Sequence, residues 1–140
     1  MVGAGGGRIV TIYGNLGERQ QGHVSAFAVA KAGIARLTES LACELDGTAV
    51  RVFCLHPGFV RTPMTEQLAW GEQGRAWLPA FANAVRRWGD GQPAVAMVVA
   101  IASSAADVAG RVLLAGDNLT RLTAQCRADP DYRRLRLTLD

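Results

Sequence analysis

Residues 50–58, Val-Arg-Val-Phe-Cys-Leu-His-Pro-Gly, decide the fold class of this chain. The run from Val50 to Leu55 is apolar without the alternation of a half-exposed strand, and His56-Pro57-Gly58 ends it. Such continuous strands are typical of parallel sheets that helices cover on both faces. The segment therefore predicts a buried strand of an α/β protein, with its carboxyl end at His56.

The residues upstream complete a strand-helix-strand unit. Arg8 to Tyr13 predicts another buried strand, and the Gly-, Asn- and Gln-rich residues 14–22 predict a loop. Ser25 is a candidate cap for a helix that runs to about Leu45, where Asp46-Gly47 follows as a stop signal. An apolar stripe at helical spacing is predicted to be its buried face: Ala26, Ala30, Ile34, Leu37 and Leu41.

Downstream, Thr62 is a candidate helix cap with Pro63 at the first helical position. Residues 93–103 predict an apolar helix, and Gly110 to Leu114 a third strand. The tail from Asp117 predicts one helix, a break at 129–130 and a short final segment. We expect one domain over 1–140, with sheet and helices in 1–116 and a C-terminal helical extension in 117–140.

Composition excludes several classes of protein. Hydrophobic residues make up 49% and charged residues 19%, which indicates a folded domain and not a disordered one. The net charge of +3 is mild, and basic residues cluster only at Arg133, Arg134 and Arg136, so we expect no nucleic-acid partner. Three scattered cysteines, no metal-ligand spacing and no leader or membrane-length apolar run predict a cytoplasmic protein without a metal or a membrane contact.

Three ordered segments resemble the short-chain dehydrogenase/reductase family. Gly7-Arg-Ile-Val-Thr-Ile-Tyr-Gly-Asn-Leu-Gly17 is similar to the strand that carries the family's catalytic serine. Residues 25–33, Ser-Ala-Phe-Ala-Val-Ala-Lys-Ala-Gly, are similar to the Tyr-x-x-x-Lys helix, and residues 52–62 to the Pro-Gly-x-Val-x-Thr loop. The resemblance covers nearly the whole chain. It implies a partial Rossmann-like, doubly wound parallel sheet that comprises the family's last three strands.

The resemblance also implies roles for single residues. Lys31, the one lysine of the chain, matches the family's lysine, which lowers the pKa of the catalytic tyrosine and holds the nicotinamide ribose. Phe27 stands at the tyrosine position and has no proton to give, and Gly14 stands at the serine position and has no hydroxyl. Tyr13 or Ser25 could substitute, but strand neighbours such as Tyr13 and Gly14 point to opposite faces.

The Pro-Gly loop implies a cofactor contact. Pro57, Gly58, Val60 and Thr62 match the family segment that meets the carboxamide of NAD(P), at the strand end where open α/β sheets bind ligands. The alternative is that Thr62-Pro63 only begins a helix, and both roles can hold at once. Four aromatic residues in the variable region that follows could line an apolar pocket, pack in the core or form a subunit contact: Trp70, Trp77, Phe81 and Trp88.

Two further features carry open alternatives. Cys54 and His56 share a strand face and could form a thiol nucleophile with its base, or be a buried cysteine and a loop histidine. Gly3-Ala-Gly-Gly-Gly7 leads into a strand and not into a helix, so it does not predict a phosphate-binding turn. The family's N-terminal nucleotide-binding half is thus expected to be absent, and NAD(P) binding to be weak or absent.

Three functional hypotheses remain at this point. The chain is a truncated or degenerate family member without oxidoreductase activity of its own, or an NAD(P)(H)-dependent carbonyl/alcohol oxidoreductase when completed by a missing N-terminal half, or a non-enzymatic oligomerisation module. The strand at 8–13 would lie in the interior of the family's sheet and is expected here to be an edge. We therefore expect self-association or a partner chain through this edge and helix 26–45.

Overall fold

The computed structural model of the chain describes residues 1–103 and 107–135, and leaves the side chain of Val85 undescribed. The strands are β1 (Gly7–Ile12), β2 (Val50–His56) and β3 (Val112–Leu114). Six α-helices of the described residues accompany them: α1 (Ser25–Glu44), α2 (Pro63–Trp70), α3 (Glu72–Trp77), α4 (Phe81–Ala84), α5 (Gln92–Ser103) and α6 (Leu119–Ala128). Short 3₁₀ turns cover Val2–Ala4, Asn15–Gly17 and Val85–Arg87.

The three strands form one parallel sheet in the order β1-β2-β3. Both faces of β2 are buried, as the apolar run predicted. Phe53 and Leu55 contact a core that α5 and α6 complete with Met97, Ile101 and Leu122. Cys54 faces the other way and packs with residues of α1 and the neighbouring strands: Tyr13, Ala35 and Val112. The doubly wound α/β architecture predicted from the sequence is therefore confirmed.

The buried face of α1 is not the predicted one. Ala35 and Thr38 are the buried residues of this helix, whereas Ala26, Ala30 and Leu37 of the predicted stripe are exposed and Leu41 is half-buried. Small side chains face the sheet because they let the helix backbone approach the strands closely. Two of the larger apolar residues, Val29 and Leu37, lie on the outer face and are 73% and 52% exposed, whereas Ile34 packs against the core.

Other boundaries also needed correction. Ser25 is the first residue of α1 and not its cap, since Val24 holds the cap position and no side chain there accepts a hydrogen bond. The third strand begins at Val112, because Gly110 adopts a left-handed turn with φ of 72°. The cap at Thr62 with Pro63 behind it is confirmed. The division at residue 117 stays a prediction, and Arg136 and the end of the tail lie outside the described residues.

The two edges of the sheet differ. No described strand pairs with the outer edge of β1. On the outer edge of β3, the Val112 N–H donates to the carbonyl of Arg133 at 3.0 Å, and the Leu114 N–H donates to Oδ2 of Asp117 at 2.7 Å. Arg133 in turn binds Oδ1 of Asp117 at 3.2 Å. The described part of the tail thus covers the edge at β3, whereas no described strand covers the edge at β1.

Candidate active site

The carboxyl ends of β1 and β2 meet at one edge of the sheet, beside the first turns of α1. The Tyr13 N–H donates to the Leu55 carbonyl at 2.8 Å, which holds the two strand ends in register. The backbone then leaves β1 through Gly14 and leaves β2 through Pro57. In open parallel sheets, ligands bind outside the carboxyl ends of the strands, so this end of the sheet is the candidate active site.

The three positions that the sequence singled out for catalysis lie together at this edge. A methyl group placed on Gly14 would be 3.4 Å from Cε1 of Phe27 and 3.5 Å from Cγ of Lys31. Both distances are ordinary van der Waals contacts. Gly14 itself has an extended backbone with φ of −146°, which any residue adopts. The site would therefore accept a methyl group at position 14 without strain.

Lys31 is held in place by two interactions. Its Nζ donates to the Ile12 carbonyl at 3.0 Å, and the same nitrogen lies 5.4 Å from the centroid of the Phe27 ring. The second distance is within the range of a cation–π interaction. Because an ammonium carries three N–H donors, two remain for a ligand, and within the described residues Lys31 makes no second hydrogen bond.

Tyr13 does not take over the role of an active-site acid in this geometry. It is 3% exposed, and its ring lies edge-on to His56 with centroids 6.4 Å apart. Its buried hydroxyl makes no hydrogen bond of normal geometry within the described residues. Burial raises the pKa of this phenol strongly, and the nearby Glu18 carboxylate raises it further. The hydroxyl therefore stays protonated and is inaccessible to a substrate. Ser25, the other candidate substitute, is exposed at the start of α1.

Cys54 and His56 do not form a reactive pair. Cys54 is fully buried between the hydroxyls of Thr11 and Thr38, and burial raises the pKa of its thiol despite hydrogen bonds from both. Burial lowers the pKa of His56, whose Nδ1 accepts the Gly58 N–H at 3.0 Å. A protonated thiol and a histidine committed to its own loop favour the structural interpretation of both residues.

The Pro-Gly loop is built around a well-formed helix start. Gly58 has φ of 82°, a conformation that favours glycine. The Thr62 side chain accepts the Thr65 N–H at 3.2 Å, the Thr65 hydroxyl accepts the Thr62 N–H at 2.8 Å, and the same hydroxyl lies 3.0 Å from the Val60 carbonyl. This reciprocal capping box fixes the backbone from Val60 to Thr65.

The aromatic residues after this loop divide into two groups. Trp77 is 55% exposed and packs against His23 with ring centroids 4.9 Å apart, over a shallow cleft of about 330 Å³. Trp70, Phe81 and Trp88 instead gather around Phe59 and Arg61. Sequence reasoning missed Phe59 and Arg61, because the variable positions of a Pro-Gly-x-Val-x-Thr pattern carry no signal of what they will contact.

A second open groove, larger than the cleft under Trp77, lies elsewhere. It measures about 1250 Å³ and is found at the amino ends of the strands, where Ala49, Arg51 and Gly110 are part of its wall. None of the residues that the sequence singled out for chemistry lines it. Its walls are charged with both signs, and it is open to solvent, so we do not assign it to the site.

The glycine cluster at the start of the chain has a packing explanation. A methyl group on Gly6 would lie 2.7 Å from the Ala49 carbonyl oxygen, and the φ of Gly6 is 133°. These residues lead directly into β1.

Within the described residues no cluster of three or more His, Cys, Asp or Glu could hold a metal ion, and none of the helices there has the length and apolar character to cross a bilayer.

Comparison with known proteins identifies relatives of this arrangement. The family model for short chain dehydrogenases matches residues 1–73. The chain is 30% identical over 114 residues to 5-keto-D-gluconate 5-reductase of Escherichia coli, which covers 81% of this chain and 44% of that protein. It is 43% identical over 60 residues to the 3-oxoacyl-acyl-carrier-protein reductase FabG of Thermotoga maritima, which covers 43% of this chain and 22% of that protein.

Solved structures give the same picture. Actinorhodin polyketide ketoreductase with NADPH superposes with a TM-score of 0.69 at 26% identity, over 81% of this chain and 47% of that one. Sorbitol-6-phosphate 2-dehydrogenase SrlD from Erwinia amylovora superposes with a TM-score of 0.63 at 27% identity, over 79% of this chain and 48% of that one. The chain thus spans less than half the length of these relatives.

Proposed function

Because this chain belongs to the short-chain dehydrogenase family of NAD(P)-dependent oxidoreductases, we propose that it is a degenerate member, unable to catalyse the family's hydride transfer with its own residues. It keeps the family's lysine and Pro-Gly loop. The resemblance places a tyrosine and a serine where this chain has Phe27 and Gly14. In that arrangement the tyrosine gives or takes the proton and the serine hydroxyl orients the carbonyl.

The observation that supports the proposal is the contact between the three positions. Gly14, Phe27 and the stem of Lys31 adjoin one another at the carboxyl edge of the sheet. General acid catalysis is worth about 10²–10⁴ in rate, and one hydrogen-bond donor to the developing charge is worth about 10²–10³. The two losses need not multiply, since residues that act as a unit are not additive. Either loss alone would make the family reaction very slow.

The residues at this edge fit the nicotinamide end of NAD(P). Lys31 has two N–H donors left for ribose hydroxyls, and the backbone around Val60 with Thr62 would meet the carboxamide. When bound, the cofactor would supply the hydride. Gly6 approaches Ala49 closely, and the glycine-rich residues 3–7 lead into a strand and not into an α-helix, so they offer no α-helix terminus to a pyrophosphate. We therefore propose that these residues alone bind NAD(P) weakly or not at all.

The test is a pair of substitutions that restores both groups, Phe27→Tyr with Gly14→Ser, made in the longest reading frame that contains this chain. We expect no NAD(P)H oxidation by the parent protein with a carbonyl panel that includes 5-keto-D-gluconate. We expect measurable turnover after the double substitution. The matched control, Phe27→Leu with Gly14→Ala, changes size without adding a hydroxyl. Turnover by the parent protein that Lys31→Met abolishes would refute the proposal, because the site would then work without the two hydroxyls.

A second candidate function follows from the open surfaces. β1 presents an unpaired edge, Ile12 is 47% exposed, and the outer face of α1 exposes Val29 and Leu37. We propose that the segment that covers them is the rest of a family domain, either in the same polypeptide or on another chain. In that form the protein would be an oxidoreductase of carbonyls or alcohols. If Phe27 and Gly14 prevent catalysis, it would instead be an oligomerisation module.

This second proposal has its own measurement. Light scattering on the purified chain is expected to give a self-associated mass, and Val29→Glu with Leu37→Glu is expected to reduce it, because burying two carboxylates in an apolar contact is costly. Exposed Glu44→Gln is the control. A monomer with a cooperative melt would contradict the proposal.

The three free cysteines also lead us to propose a reducing, cytoplasmic location.

A further inference from the structure

An aromatic cluster stands directly beside the Pro-Gly loop, and the proposed chemistry makes no use of it. Phe59 of the loop lies 5.1 Å from Phe81 and 6.2 Å from Trp88, measured between ring centroids. Trp70, at the end of α2, meets Trp88 edge-on at 5.0 Å. The cluster therefore joins four segments: the loop, the end of α2, the start of α4 and the stretch before α5.

One charged side chain lies against this cluster. The guanidinium carbon of Arg61 is 5.8 Å from the ring centroid of Trp70 and 5.7 Å from that of Trp88. Both distances are within the range of a cation–π interaction, and indole is the strongest aromatic partner. Nε of the same side chain binds Oε1 of Glu66 in α2 at 2.6 Å. A single residue of the loop thus contacts both helix α2 and the stretch before α5.

The backbone of the loop is joined to the same distant stretch. Val60 and Gly89 form an isolated parallel bridge. In it the Gly89 N–H donates to the Phe59 carbonyl at 2.8 Å, and the Arg61 N–H donates to the Gly89 carbonyl at 3.5 Å, the longer and weaker of the two bonds. The bond at Arg61 is therefore the one that most needs support from side chains.

From these contacts we infer that Arg61 is the positioning residue of the loop 57–62. Its side chain closes a ring of contacts that runs from the loop to Trp88, on to Trp70 and back through α2 to the capping box at Thr62. The ring fixes the backbone on both sides of Val60. The inference rests on the proposed function in one respect, which is that this loop is the segment that would meet nicotinamide.

The chemistry of arginine suits this role better than that of lysine. A planar guanidinium can stack on one indole, approach a second and still direct an N–H toward a carboxylate. A lysine ammonium would keep the charge but could not satisfy this geometry at all three partners. Arg61→Lys should therefore retain part of the effect, whereas Arg61→Gln should lose it.

The experiment is hydrogen–deuterium exchange on the whole chain, without nucleotide. In Arg61→Gln we expect exchange to accelerate about five- to tenfold in peptides that cover 57–66 and 86–91, and to stay unchanged in β2, α5 and α6. Arg61→Lys should give a smaller acceleration in the same peptides. Arg75→Gln, an exposed arginine of α3, is the matched control and should leave every peptide unchanged.

Two outcomes would overturn the inference. Unchanged exchange at 57–66 in Arg61→Gln would mean that Phe59, Trp88 and the Gly89 bridge hold the loop unaided. Equal acceleration in all peptides would mean that Arg61 only contributes to global stability. Titration with NADPH separates this inference from the proposed function. If Arg61→Gln accelerates exchange in the loop but the wild-type protein does not bind NADPH, the positioning role is supported and only the cofactor contact is left without support.

Discussion

The Lys31 ammonium lies 5.4 Å from the centre of the Phe27 ring, one helical turn away on the same face of α1. In the family that this chain resembles, the ring at this position bears a hydroxyl whose pKa the ammonium lowers. Here the same charge meets the face of a bare ring and the Ile12 carbonyl. We propose that a geometry that would activate an acid serves here as a structural contact, so that Lys31 is a test of stability as well as of chemistry.

Replacing Lys31 by Met should destabilise the protein by about 1 kcal/mol, because the Ile12 carbonyl loses its donor and the ring loses its cation. Urea unfolding followed by circular dichroism measures this change. Lys31→Arg keeps a cation and N–H donors and should cost less. Equal stability of Lys31→Met and wild type would show that solvent replaces both contacts.

Gly17→Ala should destabilise the protein by about 1–3 kcal/mol through overpacking. Its methyl group would lie 2.8 Å from the Ala32 amide nitrogen, 2.9 Å from Cε2 of Tyr13 and 3.0 Å from the Lys31 carbonyl carbon. Backbone atoms cannot move aside cheaply, so the loop would have to shift away from α1.

Two other glycines of the same region serve as controls for that change. Gly14→Ala has its nearest neighbours at 3.4 Å and beyond, and nothing lies within 4 Å of a methyl group on Gly22. Thermal melts of both variants should stay close to wild type. A loss at Gly14 as large as that at Gly17 would show that position 14 has no room for a serine, and would remove the basis of the restoring substitution.

Asp117→Ala should cost about 1–3 kcal/mol and uncover the outer edge of β3, because it removes the acceptor of the Leu114 N–H and the partner of Arg133. The free energy of unfolding and the mass from light scattering are the two measurements. Asp117→Asn keeps an acceptor oxygen and should be milder, and the exposed Glu44→Gln should change neither quantity. An unchanged mass would mean that the tail protects this edge without Asp117.

Stability should fall as the pH drops below the ordinary pKa of histidine, about 6.5, because burial lowers the pKa of His56 in the folded protein. Between the lowered and the ordinary value the unfolded chain binds more protons than the folded chain, so acid favours unfolding. Urea titrations from pH 8 to pH 5 should show a steeper loss in wild type than in His56→Asn. Parallel curves for the two proteins would contradict this assignment.

The sequence predicted the strands better than the helix surface. Val50 to Leu55 could be identified as buried because a strand covered on both faces leaves a continuous apolar run, and that pattern needs no knowledge of neighbours. The apolar stripe of α1 was expected to face the core, but Ala26, Ala30 and Leu37 are exposed, whereas Ile34 packs against the core and Leu41 is half-buried. A helical stripe shows which residues share a side, but not which side meets the sheet. Close packing against a flat sheet favoured the smaller residues, Ala35 and Thr38.

The sequence by itself determined the family of the chain, the order of its strands and helices, and the residue types at positions 14, 27 and 31, because these depend on local patterns and motif spacing. The tertiary structure decided what those residues touch. It brought Gly14 against Phe27 and Lys31, sealed the Tyr13 hydroxyl in the core, and set Arg61 between two indoles. The contact between Arg61 and Trp88 joins residues that are 27 positions apart in the sequence. Only the packing of the folded chain fixes which side chains come into contact.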